Sequence, residues 1–460
     1  MARFGSLTDA PASFVLVGAR VIDPAGRADG VADLAVIDGR IVAPAAAPDG
    51  TPRIDAAGLL AAPAFCDLHA HLRQPGGHAA ETIASGARAA AHGGYATVCA
   101  MPNTDPALDE PARVAWVTSC AADAAARVQV VAAATVARGG EQLAPLGELA
   151  EMGVAGFSDD GSGIASPRVA RAVMGYLAPL GLPLIEHAED AELAAGTVMR
   201  SGPTAARLGL AGWPPSAELT MVERDIALAA ETGARLHLTH LSTAAALDAV
   251  RRAKDRGLRV SCDVTPHHLA LTDAWVAGDR RFCWDEPDGA DALDGALDPA
   301  LAYDGSCRVN PPLPSRADAL ALLDGLADGT VDAIATDHAP HPPERKAVEF
   351  ANAAPGMIGL ETALSIGLSA VAAGRLDLVR LMAVLGTGPA TLIGEARSLE
   401  VGGMAELVVF DARTRWRVEP GTLASASANT PLLGMELPGV VRLTVAGGRL
   451  TYSDGTLLPD

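Results

Sequence analysis

Between residues 61 and 394 the chain alternates apolar runs with Ala-rich or amphipathic runs, and this alternation limits the fold more than any other feature. Eight apolar runs can be read: AFCDLHAHL, YATVCAMP, VQVVAAAT, VAGFSD, LPLIEH, RLHLTH, RVSCDVTP and VDAIATD. Segments such as ETIASGARAAAHGG, PRVARAVMGYLAPLG, SAELTMVERDIALAAETG and SRADALALLDGLADG separate them, and several end in glycine, a normal helix stop. Strands alternating with helices make βα units. Eight of them predict a TIM-type (β/α)8 barrel, somewhat longer than the usual ~250 residues. A doubly wound sheet is the structural alternative.

The flanks have a different texture. Short strand-and-turn text (SFVLVGARVID, ADLAVIDGRIVAP, TPRIDAAG) fills Val15 to Asp55, and it returns from Gly402 onward in AELVVFDA and VVRLTVAGGRLTYSDG. Neither end has enough apolar surface for a domain of its own. The expectation is one small β-sandwich domain built from residues 1–60 and 395–460, beside a barrel spanning 61–394. From Asp273 to Cys307 the rhythm breaks in an acidic, Gly/Pro-punctuated stretch, expected to be a long surface loop, with a lid or partner-binding insertion as the alternative.

Charge excludes some functions. At a net charge of −20, with no basic patch, nucleic acid is not an expected partner. Long-range steering would repel an anionic substrate, so an anion site must rely on local positive charge. The N-terminus lacks the apolar core of a signal peptide, and no apolar stretch reaches membrane-spanning length. Six scattered cysteines without a CxxC predict reduced thiols in the cytoplasm and no cysteine metal site.

Polar residues fall at the C-terminal ends of the apolar runs. His69 and His71 end the first, Asp159 and Asp160 the fourth, His187 the fifth, His240 the sixth and Asp337 the eighth. Residues two apart on a strand share a face, so both imidazoles of HAH project together. Singly, each has a bland explanation: a hydrogen-bonded core histidine, or a turn in DDG. His237, on the opposite face from His240, fits that explanation. Seven such residues on five strand ends do not, because unpaired buried charge is costly. In a barrel these ends converge on one mouth, where active sites of this fold sit. Nitrogen and oxygen ligands without sulfur fit zinc, with manganese, cobalt or iron as substitutes.

The blocks DLHAHLRQPGG, GGYATVCAMPNTDP, GFSDDG, IEHAED, LTHLST, TPHH, NPPL and IATDHAPH jointly resemble bacterial class I dihydroorotase, within the cyclic amidohydrolase superfamily. The resemblance runs from about Ile54 to Ala412. It implies two zinc ions, one held by His69, His71 and Asp337, the other by His187 and His240, with Asp160 bridging. Asp159 is the rival for the bridge, and the family's block favours the second aspartate. Several relatives, hydantoinases and allantoinase among them, bridge with a carboxylated lysine near the end of strand four. This chain has only Lys254, in a helical run, and Lys346, in a loop after strand eight.

For the substrate, the resemblance implies a carboxylate clamp of Arg73, Asn103 and His341. Asn310 would face the ring amide edge, with backbone groups near Pro355 and Gly356 completing recognition. Two departures stand out: Pro314 follows NPPL where the family usually has arginine, and the insertion before Arg308 is long. The implied activity is reversible, zinc-dependent cyclisation of N-carbamoyl-L-aspartate to L-dihydroorotate in pyrimidine biosynthesis, with Asp337 moving the proton. The rival readings are another cyclic amide hydrolase, hydantoinase or allantoinase, and a metal-free scaffold for aspartate transcarbamoylase. A homodimer and an association with aspartate transcarbamoylase are both compatible with the sequence.

Overall fold

The computed structural model describes residues 3–4, 11–285 and 298–457. All eight expected strands form: β1 (Phe65–Ala70), β2 (Tyr95–Ala100), β3 (Arg127–Ala133), β4 (Gly156–Ser158), β5 (Pro183–Glu186), β6 (Arg235–Leu238), β7 (Val260–Val264) and β8 (Ala333–Ile334). They pair in parallel in chain order. A bridge between Ala70 and His338 brings the last strand back to the first, reinforced by His71 N–H donating to His338 O at 2.8 Å. Every residue of β1 and β2 is buried, as expected of parallel strands covered on both faces. Leu68, Cys99, Val131, Ile185 and Ala333 form one cluster drawn from five strands, so the barrel interior is packed.

Local chemistry sets the helix ends. Helix Ile83–His92 starts in a capping box of Thr82 and Ser85. Ser166, Thr243 and Ser315 cap the helices Pro167–Leu180, Ala244–Asp255 and Arg316–Asp328. Gly181 and Gly233 stop Pro167–Leu180 and Ser216–Thr232 in the left-handed conformation at φ 70° and 71°.

Both termini contribute to one nine-stranded sheet, mostly antiparallel. Its seam is Leu60–Pro63, which runs antiparallel to the start of Leu407–Arg417 and parallel to Phe14–Asp23. Phe14, Leu16, Val36 and Ile54 share a core with Leu407, Val409, Leu443 and Val445, so neither terminus buries its apolar face without the other.

The 273–307 stretch departs from a plain surface loop. Trp275, Val276, Phe282 and Cys283 are buried, and Trp275, Val276 and Phe282 pack in one cluster with Cys307 and Val309. Apolar burial therefore anchors both ends of the insertion. Its acidic middle, 286–297, lies outside the described residues.

Candidate metal centre and substrate cavity

The strand ends converge. His69 Nε2 lies 3.3 Å from Asp160 Oδ1 and 3.6 Å from Asp337 Oδ1, and His71 Nε2 lies 2.9 Å from Asp337 Oδ1. On the other side of Asp160, His187 Nδ1 and His240 Nε2 each stand 3.7 Å from Oδ1 and 3.0 Å from one another. Two ligand groups thus share one carboxylate: His69, His71 and Asp160, and Asp160, His187 and His240. All are buried.

Two atoms at the centre, His69 Nε2 and Asp160 Oδ1, have no hydrogen-bond partner among the described residues. Buried polar atoms are normally paired, so an orphaned nitrogen facing an orphaned carboxylate oxygen leaves room for a cation. Electrostatics agree. Burial disfavours charge on every group, yet the neighbouring histidines hold Asp160 well below the usual carboxylate range. Burial likewise opposes charge on His69 and His187, but Asp160 overrides it, with Glu189 helping at His187, and pushes the rings up to about 9 and about 10. Burial keeps His71 and His240 below their ordinary value. The centre therefore draws positive charge. An all-N/O donor set of four histidines and two aspartates fits zinc.

Outer partners aim the rings. His69 Nδ1 sits 2.8 Å from Thr239 Oγ1, which donates to Asp263 Oδ2 at 3.1 Å. Asp263 also accepts from the His240 N–H at 2.6 Å and pairs with His237 Nε2 at 2.8 Å. His237 is thus a fully bonded structural histidine, while Asp263 steadies two ligand positions. Arg73, His240 and Asp337 all have positive φ, at 57°, 42° and 46°, a conformation that costs non-glycine residues energy and concentrates at functional sites.

Asp159 and Asp160 separate cleanly. Asp159 accepts from the N–H groups of Ala134 and Thr135, both at 3.0 Å, and from the Thr135 hydroxyl. Its carboxylate ties down the loop after β3, whereas Asp160 faces the histidines. Neither lysine reaches the centre. Lys254 pairs with Asp332 at 2.6 Å, just before β8 and at the opposite end of that strand from Asp337. Among the described residues Lys346 donates to main-chain carbonyls only.

A cavity of about 250 Å³ opens beside the ligands, lined by Arg73, Asn103, Asn310, His341, Pro355 and Gly356 among others. Arg73 Nε donates to Pro340 O at 3.1 Å, and no carboxylate pairs with its guanidinium among the described residues. Its NH2 lies 3.3 Å from His341 Nε2, but that nitrogen is only 2.8 Å from Pro355 O. The shorter contact makes Nε2 a donor, so it cannot also accept from Arg73. Burial, followed by the Arg73 charge, pushes His341 down to about 3 and keeps it neutral. Asn310 Nδ2 stands 3.3 Å from both His187 Nε2 and Glu189 Oε1. Asn103 reaches the cavity too, but its amide is already shared by His71 and Asp160. Nine of the ten candidate residues therefore line one cavity, and the tenth, His69, stands beside it against Asp160.

Sequence reasoning missed Thr239, Asp263 and Lys346. Asp263 left a signal: a lone acidic residue inside the apolar run VSCDV has to be bonded when buried.

Residues 58–246 match the Dihydro-orotase-like family model. A dihydroorotase of Anaeromyxobacter dehalogenans is 46% identical over 444 residues, covering 95% of this chain and 97% of that protein. One of Geobacter sp. strain M21 is 40% identical, with 96% and 100% covered, and one of Mycobacterium tuberculosis is 42% identical, with 88% and 90% covered. Among solved structures, L-hydantoinase from Arthrobacter aurescens superposes with a TM-score of 0.80 at 23% identity, covering 97% of each chain. Dihydropyrimidinase from Brevibacillus agri gives 0.79 at 20% identity, covering 97% of this chain and 96% of that one. At such identity these two establish the fold alone. On the strength of the curated relatives, this chain belongs to the dihydroorotase family of cyclic amidohydrolases.

Proposed function

We propose that the protein interconverts L-dihydroorotate and N-carbamoyl-L-aspartate, and that His69, His71 and Asp337 hold one zinc ion and His187 and His240 a second, with Asp160 between them. Zinc held there would supply Lewis acidity and a nucleophilic water at neutral pH. Asp337 accepts the proton of the attacking water and passes it to the ring nitrogen as the amide C–N bond breaks. In the closing direction it returns that proton to the departing water. Arg73 receives the substrate carboxylate and Asn310 the ring amide edge, so that the ring carbonyl is presented to the water.

Arg73 carries the reading: a half-buried guanidinium with no carboxylate partner among the described residues, in the same cavity as the ligands, suits an anionic ring. Hydantoin lacks that carboxylate. All six ligands come from one chain, so neither a second copy nor aspartate transcarbamoylase is needed to complete the centre. Six scattered cysteines without a CxxC fit a cytoplasmic location. Among the described residues no helix is long and apolar enough to cross a membrane.

The test is a substrate panel of dihydroorotate, hydantoin and allantoin on zinc-loaded protein, with metal analysis. Dihydroorotate should dominate, and two zinc ions per chain should be found. A preference for either uncharged ring would overturn the reading.

A further inference from the structure

Behind the cavity wall the second of the chain's two lysines is buried among carbonyls. Lys346 ends the short helix Pro343–Lys346 and is 7% exposed. Its ammonium donates to Ala354 O at 2.7 Å, Gly356 O at 2.8 Å and Arg308 O at 3.2 Å. These carbonyls come from two separate loops. Arg308 lies two residues before Asn310, in the segment after β7, and Ala354 and Gly356 flank Pro355 in the segment after β8. Asn310, Pro355 and Gly356 all line the substrate cavity.

The junction is tight. Gly356 N–H donates back to Arg308 O at 2.9 Å. Gly356 has φ +125°, and a Cβ there would lie 2.6 Å from Ala339 Cβ, so only glycine fits this point of the wall. An ammonium is costly to bury without a carboxylate, and three converging carbonyl dipoles are what make this one tolerable. An apolar side chain would fill the same space but could not hold two loops to one point.

We propose that Lys346 is a positioning residue: its ammonium clamps the two loops that form the ring-recognition wall and thereby sets substrate affinity, not the chemical step. This rests on the dihydroorotate reading of the cavity. The charge on the clamp depends on pH. Burial pushes Lys346 down to about 7, Cys307 and Asp304 favour its charged form, and Arg308 opposes it. His341, across the wall, is held neutral in part by the same ammonium. The clamp is therefore charged below neutrality and loses its charge as pH rises, which loosens the wall in alkaline solution.

The experiment compares wild type, Lys346→Met and Lys346→Arg as zinc-loaded full chains. The readouts are KM, kcat and zinc content from pH 6 to 9, and amide exchange at Gly356. Lys346→Met should raise KM about tenfold or more at pH 6.5, with kcat and zinc content within about twofold of wild type. Faster exchange at Gly356 should accompany it. If Lys346→Met does not fold, the wild type alone decides, because its KM should rise with pH through the lysine ionisation. A flat wild-type KM, or a variant that loses kcat or zinc in parallel with KM, overturns the proposal. A wild type inert toward dihydroorotate, with zinc bound, overturns the proposed activity and the clamp's role with it.

Discussion

Asn103 Oδ1 lies 2.8 Å from His71 Nδ1, and the amide's nitrogen lies 3.2 Å from Asp160 Oδ2. One side chain therefore holds a ligand ring with Nε2 facing inward and orients the shared carboxylate at the same time. Removing such an outer partner typically costs about 10–100-fold in metal affinity or activity. Asn103→Ala should lower zinc affinity in that range, measured by competition with a chromogenic chelator. If zinc affinity is unchanged while KM rises, Asn103 serves only the substrate.

The two adjacent aspartates should part company. Asp160→Ala should lose zinc and nearly all activity, and bicarbonate should not restore either. Asp159→Ala leaves the Thr135 N–H unpaired and the Ala134 N–H with Ser158 O as its remaining acceptor, which should cost about 1–3 kcal/mol in denaturant unfolding, with zinc content intact. The reverse pattern by metal analysis would exchange their roles.

Arg73→Gln keeps the polarity of the side chain but shortens it and removes the charge. It should lower kcat/KM for dihydroorotate by about 1.5–3 kcal/mol, the scale of a charged hydrogen-bonded contact, with zinc unchanged. Any slow turnover of hydantoin should fall far less. Equal losses on both substrates would make Arg73 a structural residue.

Asp337→Asn preserves shape and removes the proton carrier. Rates in both directions should drop by about 10²–10⁴-fold, the usual size of a general acid–base contribution. Ring closure takes up one proton, so the equilibrium should move toward dihydroorotate about tenfold for each unit the pH falls, in mutant and wild type alike. Near-normal rates at matched zinc content, in either direction, would leave Asp337 as a ligand only.

The barrel was legible because its signal repeats: eight apolar runs, separated by helical text and glycine stops, each carry strand information independently. The convergence of His69, His187, His240 and Asp337 follows from that fold, since strand ends meet at one mouth. Single-residue register did not follow. Asp159 and Asp160 sit where β4 ends, and which one turns inward depends on the hydrogen bonds that Ala134 and Thr135 offer from the neighbouring loop. The burial of Trp275 and Phe282 was hidden by the acidic, punctuated text around them. Lys346 looked like a loop residue because the carbonyls that bind it come from main chain, which leaves no mark in the side-chain sequence.

The seam between Leu60–Pro63 and Leu407–Phe410 has a consequence in time. A ribosome delivers the first of these strands some 340 residues before the second, which at 5–20 residues per second is an interval of roughly 20–70 s. Throughout it, the apolar faces of Phe14, Leu16 and Val36 are waiting for partners that have not been made. The central βα units are synthesised in the meantime and can begin to assemble on local contacts, whereas the terminal sheet closes last, after release. Nascent chains stalled before residue 407 should accordingly bind chaperones through their first 60 residues, and full-length chains should shed them.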